Sequence, residues 1–222
     1  MYLYLFHQKM KRLTLSIMKK GSILVISGPS GCGKSSLVYE LLKDKKDIYF
    51  SISTTTRDIR DGEKEGVNYY YISKEEFEKD IENELFLEWA KVHDNYYGTS
   101  LKPVMEALEE GKLVIFDIDV QGHDIVKEKF ADVITSVFIT TPTAQILKER
   151  LINRNTDSLE VIETRLRNSQ SEMQRIGSYD FLLINDQFDE SLKKFFSIVD
   201  TARLKIDKTT TSTFINKWYN TH

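Results

Sequence analysis

Residues 28–35 read Gly28-Pro29-Ser30-Gly31-Cys32-Gly33-Lys34-Ser35, and nothing else in the chain constrains its fold so tightly. The run satisfies G-x-x-x-x-G-K-[ST] at every fixed position. Its surroundings fit as well: the apolar run Ser22–Ser27 reads as a buried strand, and residues 35–42 read as the helix that follows. In such a loop the glycines let successive backbone N–H groups turn inward around phosphate oxygens, and the helix N-terminus adds its positive dipole end. Lys34 is then placed to reach the β- and γ-phosphates and the Ser35 hydroxyl to sit on Mg²⁺, and Ser36 joins the loop residues expected to bind ATP. Cys32 fills a variable position, where a small tolerated side chain and a redox role are both open readings. The loop implies binding of a nucleoside triphosphate and leaves the acceptor undetermined, because GTPases, motor ATPases and small-molecule kinases all use it.

The rest of the chain alternates strands with helices, the pattern of an α/β fold with a parallel sheet. Residues 113–118 and 133–139 read as further buried strands and 181–184 as a short last one. Pro103 and Gly111 suit the start and end of a helix. Helices are also expected over 144–151, 157–173 and 190–204, the last with Leu192, Phe195, Phe196 and Val199 at i, i+3, i+4 spacing. Residues 51–100 break the alternation. With tyrosines at 69, 70, 71, 96 and 97 and no long buried run, they read as a small inserted β-rich lobe. The expected organisation is therefore a P-loop NTPase-type core (20–50, 101–142 and 176–207), the inserted lobe (51–100) and a helical segment (143–175).

Residues 1–19 carry Lys9, Lys11, Arg12 and Lys19 and no acid. They read as a flexible extension, with Met18 as the initiator or with a targeting peptide as the alternatives. Residues 208–222, rich in Thr and Asn, are expected outside the core, with Phe214, Ile215 and Trp218 able to dock. A net charge of −3 gives no bulk positive field for nucleic acid. One cysteine excludes an internal disulfide, and the four histidines are scattered, without zinc-ligand spacing. No run approaches the ~20 apolar residues of a membrane span. A cytoplasmic protein without membrane or nucleic-acid partners is expected.

Arg57 and Arg60, three apart and preceded by hydroxyl residues in FSISTTTRDIR, suit a phosphate dianion, since guanidinium forks bind phosphate oxygens bidentately. A solvated surface turn is the plain alternative. Arg150 and Arg154 share one helical face, with Arg165 about three turns further on; ordinary surface salt bridges are the alternative there.

Taken together, GPSGCGKS at 28–35, SISTTTRDIR at 51–60, Gly62-Glu63, Tyr69, FLEWAKVHDNYYGTS at 86–100, DIDVQG at 117–122 and the arginines at 150, 154 and 165 resemble the guanylate kinase family. The resemblance runs from about residue 20 to 204. It implies ATP-dependent, Mg²⁺-dependent phosphorylation of GMP, and with it dGMP, by a core, a GMP-binding lobe and a mobile lid. Carried over position by position, it places Arg57, Arg60, Tyr69 and Tyr97 on the GMP phosphate and Ser53, Glu88 and Thr99 on guanine. Asp117 and Asp119 resemble the acidic pair near nucleotide and metal, with Asp117 assigned to Mg²⁺ and Asp119 to GMP. Lys34, Arg60, Arg154 and Arg165 are the expected catalytic charges, and Arg150 joins the ATP site. Asn185 resembles the position beside adenine, with simple turn formation as its alternative. Two rivals are weighed against this reading. A scaffold-type binding module of the same fold is disfavoured by the intact Lys34 and Ser35, and a sugar-phosphate kinase by Glu88 with Ser53 and Thr99.

Overall fold

Strand β1 (Ser22–Ser27) shows why the centre of the molecule is a parallel sheet. Residues 23–27 are all buried, so apolar side chains are needed on both faces and no polar alternation appears. The structure, a computed structural model, describes residues 21–43, 47–60, 62–92, 94–130, 134–154, 158–205 and 208–220. The expected N-terminal extension (1–19) lies outside them, as do Asn155 and Asp157.

Around β1 stand β2 (Ile48–Phe50), β7 (Leu113–Asp117), β8 (Ile134–Thr140) and β9 (Phe181–Ile184), in the order β2-β7-β1-β8-β9 with every pair parallel. Successive β1 side chains go to opposite faces. Ile23 and Val25 pack with Val104, Leu108 and Phe116. Leu24 and Ile26 pack with Leu37, Leu41 and Phe195. Val104 and Leu108 come from α3 (Leu101–Glu109), Leu37 and Leu41 from α1 (Lys34–Leu42), Phe195 from α7 (Phe188–Arg203) and Phe116 from β7, while α4 (Val120–Phe130) adds Val126 and Phe130 to the first of these clusters. Ile26 lies level with Asp117 of β7, so the loop after β1 emerges at the carboxyl edge of the sheet, where open α/β folds bind their ligands.

The second sheet, order β4-β3-β6-β5, is built from β3 (Thr54–Thr55), β4 (Tyr70–Tyr71), β5 (Phe86–Val92) and β6 (Asn95–Ser100). Helix α2 (Lys74–Glu82) is capped by Ser73, whose hydroxyl accepts from Glu76 N. It buries Phe77 against the sheet, stacked on Phe86 at 4.1 Å and Tyr96 at 5.2 Å. Helices α5 (Ala144–Asn153) and α6 (Leu159–Met173) are capped by Thr143 and Ser158 and reach the main core through Leu147, Leu151 and Ile162.

Two helix starts and the tail are among the differences from the sequence expectation. Helix α3 begins at Leu101 rather than Pro103, which is tolerated because a proline in the first turn gives up an N–H that has no partner there anyway. Helix α7 begins at Phe188 rather than Glu190. The tail, expected outside the core and given no element of its own, forms helix α8 (Lys208–Tyr219). Phe214, Ile215 and Trp218 are exposed on it rather than docked into the core. No helix among the described residues is long and apolar enough to cross a membrane.

Candidate active site

The phosphate loop takes its shape from three glycines in left-handed or otherwise positive-φ conformations, Gly28, Gly31 and Gly33. At Gly28 (φ 144°) a Cβ would sit 1.9 Å from the carbonyl oxygen of Ile139, so only glycine allows the loop to pass β8. At Gly33 (φ 96°) it would sit 2.3 Å from Asn185 Nδ2. Gly33 is the N-cap of α1, which has no capping side chain and no acid in its first turn. Its first N–H groups are therefore open to an anion.

Lys34, Arg150 and Arg165 are bonded to the loop, the first two to its backbone. Lys34 Nζ donates to Gly28 O at 2.6 Å and Pro29 O at 3.3 Å. Cys32 O accepts from Asn185 Nδ2 at 2.7 Å and Arg150 at 3.3 Å. Arg165 of α6 donates to the hydroxyl of Ser30. Asn185 is buried, and its visible task is to hold the loop from behind. Cys32 is buried too, and that burial pushes its thiol up, away from the reactive thiolate.

The loop, Ser35 and Ser36, Asp117, Asp119, Arg150 and Arg154 line one open cleft. Burial raises the Asp117 carboxyl, and the charge of Lys34 opposes that rise. Asp119 Oδ1 accepts from Gln121 N at 3.0 Å and Gly122 N at 2.8 Å, so one of its oxygens caps α4. Sequence reasoning did not single out Glu172 of α6. Its carboxyl is raised by burial, lowered by Lys34 and raised again by Asp119, and its Oε2 has no hydrogen-bond partner among the described residues.

The smaller sheet assembles a second cluster. Arg57 forms a two-oxygen pair with Glu63, at 2.8 and 3.0 Å, and lies over the rings of Tyr69 (5.4 Å) and Tyr71 (5.9 Å). Tyr69 packs edge-on against Tyr97 at 6.0 Å. Glu63 also accepts from Arg60 N and the Tyr71 hydroxyl. It is the organising residue of this turn, and no role for it was read from the sequence. Arg60 itself is exposed. On the adjoining strands, Thr99 Oγ1 donates to Glu88 Oε1 at 2.7 Å, and Thr99 is buried. Ser53, half-buried, uses its carbonyl to accept from Tyr70 N, and no contact joins its hydroxyl to Glu88 among the described residues.

Two sites thus share one molecule: a triphosphate loop at the sheet edge, and a lobe with arginine–tyrosine and glutamate–threonine groups. The family model for guanylate kinase matches residues 20–202. The chain belongs to the guanylate kinase family. It is 54% identical over 200 residues to a guanylate kinase of Sulfurimonas denitrificans, covering 90% of this chain and 97% of that one. It is 52% identical over 202 residues to a guanylate kinase of Helicobacter hepaticus, covering 90% of this chain and 100% of that one. Its fold matches a crystal structure of the Anaplasma phagocytophilum guanylate kinase with a TM-score of 0.64 at 29% identity, over 86% of this chain and 90% of that one. As a guanylate kinase it uses ATP to phosphorylate GMP to GDP.

The Glu63 turn gives an expected pH dependence. Its hydrogen bonds to Arg57 lower its carboxyl to about 2 from an ordinary 4.5. The pKa is lower in the folded protein than in the unfolded chain. The contribution to stability is therefore complete above about pH 4.5 and declines as pH falls towards 2. Unfolding profiles of wild type and Glu63→Gln should differ by a constant amount at neutral pH and converge below about pH 4. Profiles that stay parallel down to pH 2 would contradict the pairing.

Proposed function

We propose that catalysis divides between these two clusters. The core loop holds the ATP phosphates through its backbone N–H groups and Lys34, with Arg150 and Asn185 fixing the loop. Ser35 and Asp117 would hold Mg²⁺. They fit it because they offer hard oxygen donors beside the phosphate cradle, and no group of three or more metal-binding side chains exists among the described residues. Mg²⁺ is suited to such a place, being bound by one or two protein oxygens together with substrate phosphates and water. When bound, it would neutralise charge on the β- and γ-phosphates. Asp119 faces the cleft and completes the polar edge towards the acceptor.

Arg57, Arg60, Tyr69 and Tyr97 take the GMP phosphate. Glu88, with Thr99 and Ser53, reads guanine. These residues address base and phosphate, so dGMP is the expected second acceptor. Residues 143–175 act as a lid that carries Arg154 and Arg165 to the transferring phosphoryl group. The acceptor is already a phosphate and needs no strong general base. Positioning and positive charge are what the reaction requires.

The observation that carries the assignment is the Glu88–Thr99 pair. Guanine presents two adjacent donors, N1–H and the 2-amino group. An ionised carboxylate is acceptor-only, with two oxygens in matching geometry. Thr99 donates to one of these oxygens, which fixes the carboxylate's orientation. Adenine would set the N1 lone pair against it and offer no amino group at the second place. Leaving a buried polar group unpaired costs about 1–3 kcal/mol, more if it is charged. Glu88→Gln keeps the shape but replaces one acceptor by an NH₂ donor. Steady-state assays should show kcat/KM for GMP lower by at least about tenfold, equivalent to about 1.4 kcal/mol, with ATP affinity unchanged. GMP kinetics indifferent to the substitution would remove Glu88 from base recognition.

A further inference from the structure

Behind the phosphate loop lies a group of buried polar atoms that phosphoryl transfer does not use. Ser27, the last residue of β1 and the one before Gly28, is fully buried. Its hydroxyl faces that of Tyr179, yet neither hydroxyl closes a direct bond of normal geometry. His123 of α4 is also fully buried and stacks on Tyr179, with ring centroids 4.0 Å apart at 21°. Its Nδ1 lies 3.5 Å from Asp124 Oδ1, too far for a good bond, and neither ring nitrogen has a hydrogen-bond partner among the described residues. Phe138 closes the far side of Tyr179, edge-on at 5.3 Å. Ser27, His123 and Tyr179 together supply four buried side-chain polar atoms without a hydrogen-bond partner among the described residues, so the lack of partners is concentrated at one place.

Buried polar groups in folded proteins are satisfied by protein or by ordered water, and each one left over calls for an explanation. A water needs a polar site with two to four partners. Here two hydroxyls and an imidazole belong to one buried group, joined by the Ser27–Tyr179 approach and the His123–Tyr179 stack, and the chemistry of all three is compatible with one water. Burial holds the Tyr179 hydroxyl up at about 12, so it keeps its proton. Burial also depresses the imidazole, against the opposing pull of Asp124 and Asp180 and with the help of Lys127, so the ring has one donor and one acceptor nitrogen.

We propose that Ser27, His123 and Tyr179 enclose an internal water that ties the exit of β1 to helix α4, making Tyr179 and Ser27 positioning residues for the phosphate loop. The tie matters because Gly28 follows Ser27 directly and threads past Ile139 with no room to spare. At its other end, α4 begins at the Asp119 cap in the nucleotide cleft. A loop whose entry is held from behind presents its N–H groups to phosphate without first being ordered. The proposal rests on ATP occupying this loop, and its structural arm is independent of activity.

A high-resolution crystal structure of the full chain should show a water peak within hydrogen-bonding distance of Ser27 Oγ, Tyr179 OH and one nitrogen of His123. An empty space, or the two hydroxyls bonded directly to each other, would overturn the proposal. Tyr179→Phe keeps the ring stacking and removes one partner. It should raise KM for ATP by about fivefold with KM for GMP unchanged. Ser27→Ala should do the same, and Ser27→Thr should restore most of the loss. Because one water serves both hydroxyls, the double variant should be little worse than either single one. A lowered melting temperature with unchanged KM for ATP would mean that the cluster only stabilises the fold, and would overturn the positioning role. So would full additivity of the two substitutions.

Discussion

Lys34→Ala should abolish measurable transfer while leaving GMP binding largely intact. Removing one preorganised donor from a developing negative charge costs about 10²–10³ in rate. Lys34 supplies a full charge rather than a dipole, so the loss in kcat should be at least that large. It also spans Gly28 O and Pro29 O, and its removal loosens the cradle as well. The acceptor cluster is built on different elements. Arg57 is held by Glu63 and the tyrosines, and Glu88 by Thr99, and among the described residues no hydrogen bond joins either to Lys34. Calorimetric titration of the folded variant with GMP should therefore give nearly wild-type affinity. Loss of GMP binding with the fold intact would contradict the assignment of the two nucleotides to separate clusters.

The second large effect is expected at the lid. Arg165→Ala and Arg154→Ala should each lower kcat far more than they raise KM for GMP. Arginines that stabilise a transferring phosphoryl group are worth about 10³–10⁵ in rate. The two start from different places. Arg154 is exposed and lines the cleft, whereas Arg165 already reaches the Ser30 hydroxyl of the loop. Because Arg165 bonds to the loop assigned to ATP, Arg165→Ala should also raise KM for ATP modestly, and Arg154→Ala should not. Lysine at either position should rescue only in part, because an ammonium lacks the planar fork that binds two phosphate oxygens. Near-normal kcat in both alanine variants would sink the lid assignment.

How far the sequence was legible depended on whether a feature is local. The loop could be read outright, since its glycines, Lys34 and Ser35 act within eight consecutive residues. The central strands could also be read, because β1, β7 and β8 are covered on both faces and are therefore largely apolar. Strands β3 and β4 escaped notice: at two residues each, they have no periodicity to see, and their pairing depends on partners tens of residues away. The helix of the tail was missed because Thr and Asn are poor helix formers, a weak preference that context can override.

Within the site, residue types were legible but partners were not. Asn185 was set beside adenine or in a turn, yet the fold turns its amide onto Cys32 O across 153 positions of sequence. One oxygen of Asp119 is used as a helix cap, a role that Asp-x-Gln-Gly could have signalled through the usual preference for Asp at N-caps. Glu63 stood in the quoted motif without a role, and only the folded turn shows that it serves Arg57, Arg60 and Tyr71 at once. His123 and Tyr179 carried no signal, since their meaning lies in a contact across 56 residues that buries His123 and the Tyr179 hydroxyl.

Acceptor choice is where the account is most exposed. The direct measurement is a coupled assay of the wild-type enzyme with ATP against GMP, dGMP, AMP, CMP and ribose bisphosphates, repeated with Glu88→Gln. The account predicts rapid turnover of GMP, turnover of dGMP, and rates for AMP, CMP and the sugar phosphates lower by orders of magnitude. It also predicts that the gap between GMP and AMP narrows in the variant. Comparable wild-type rates on GMP and AMP, or an unchanged gap in Glu88→Gln, would contradict it.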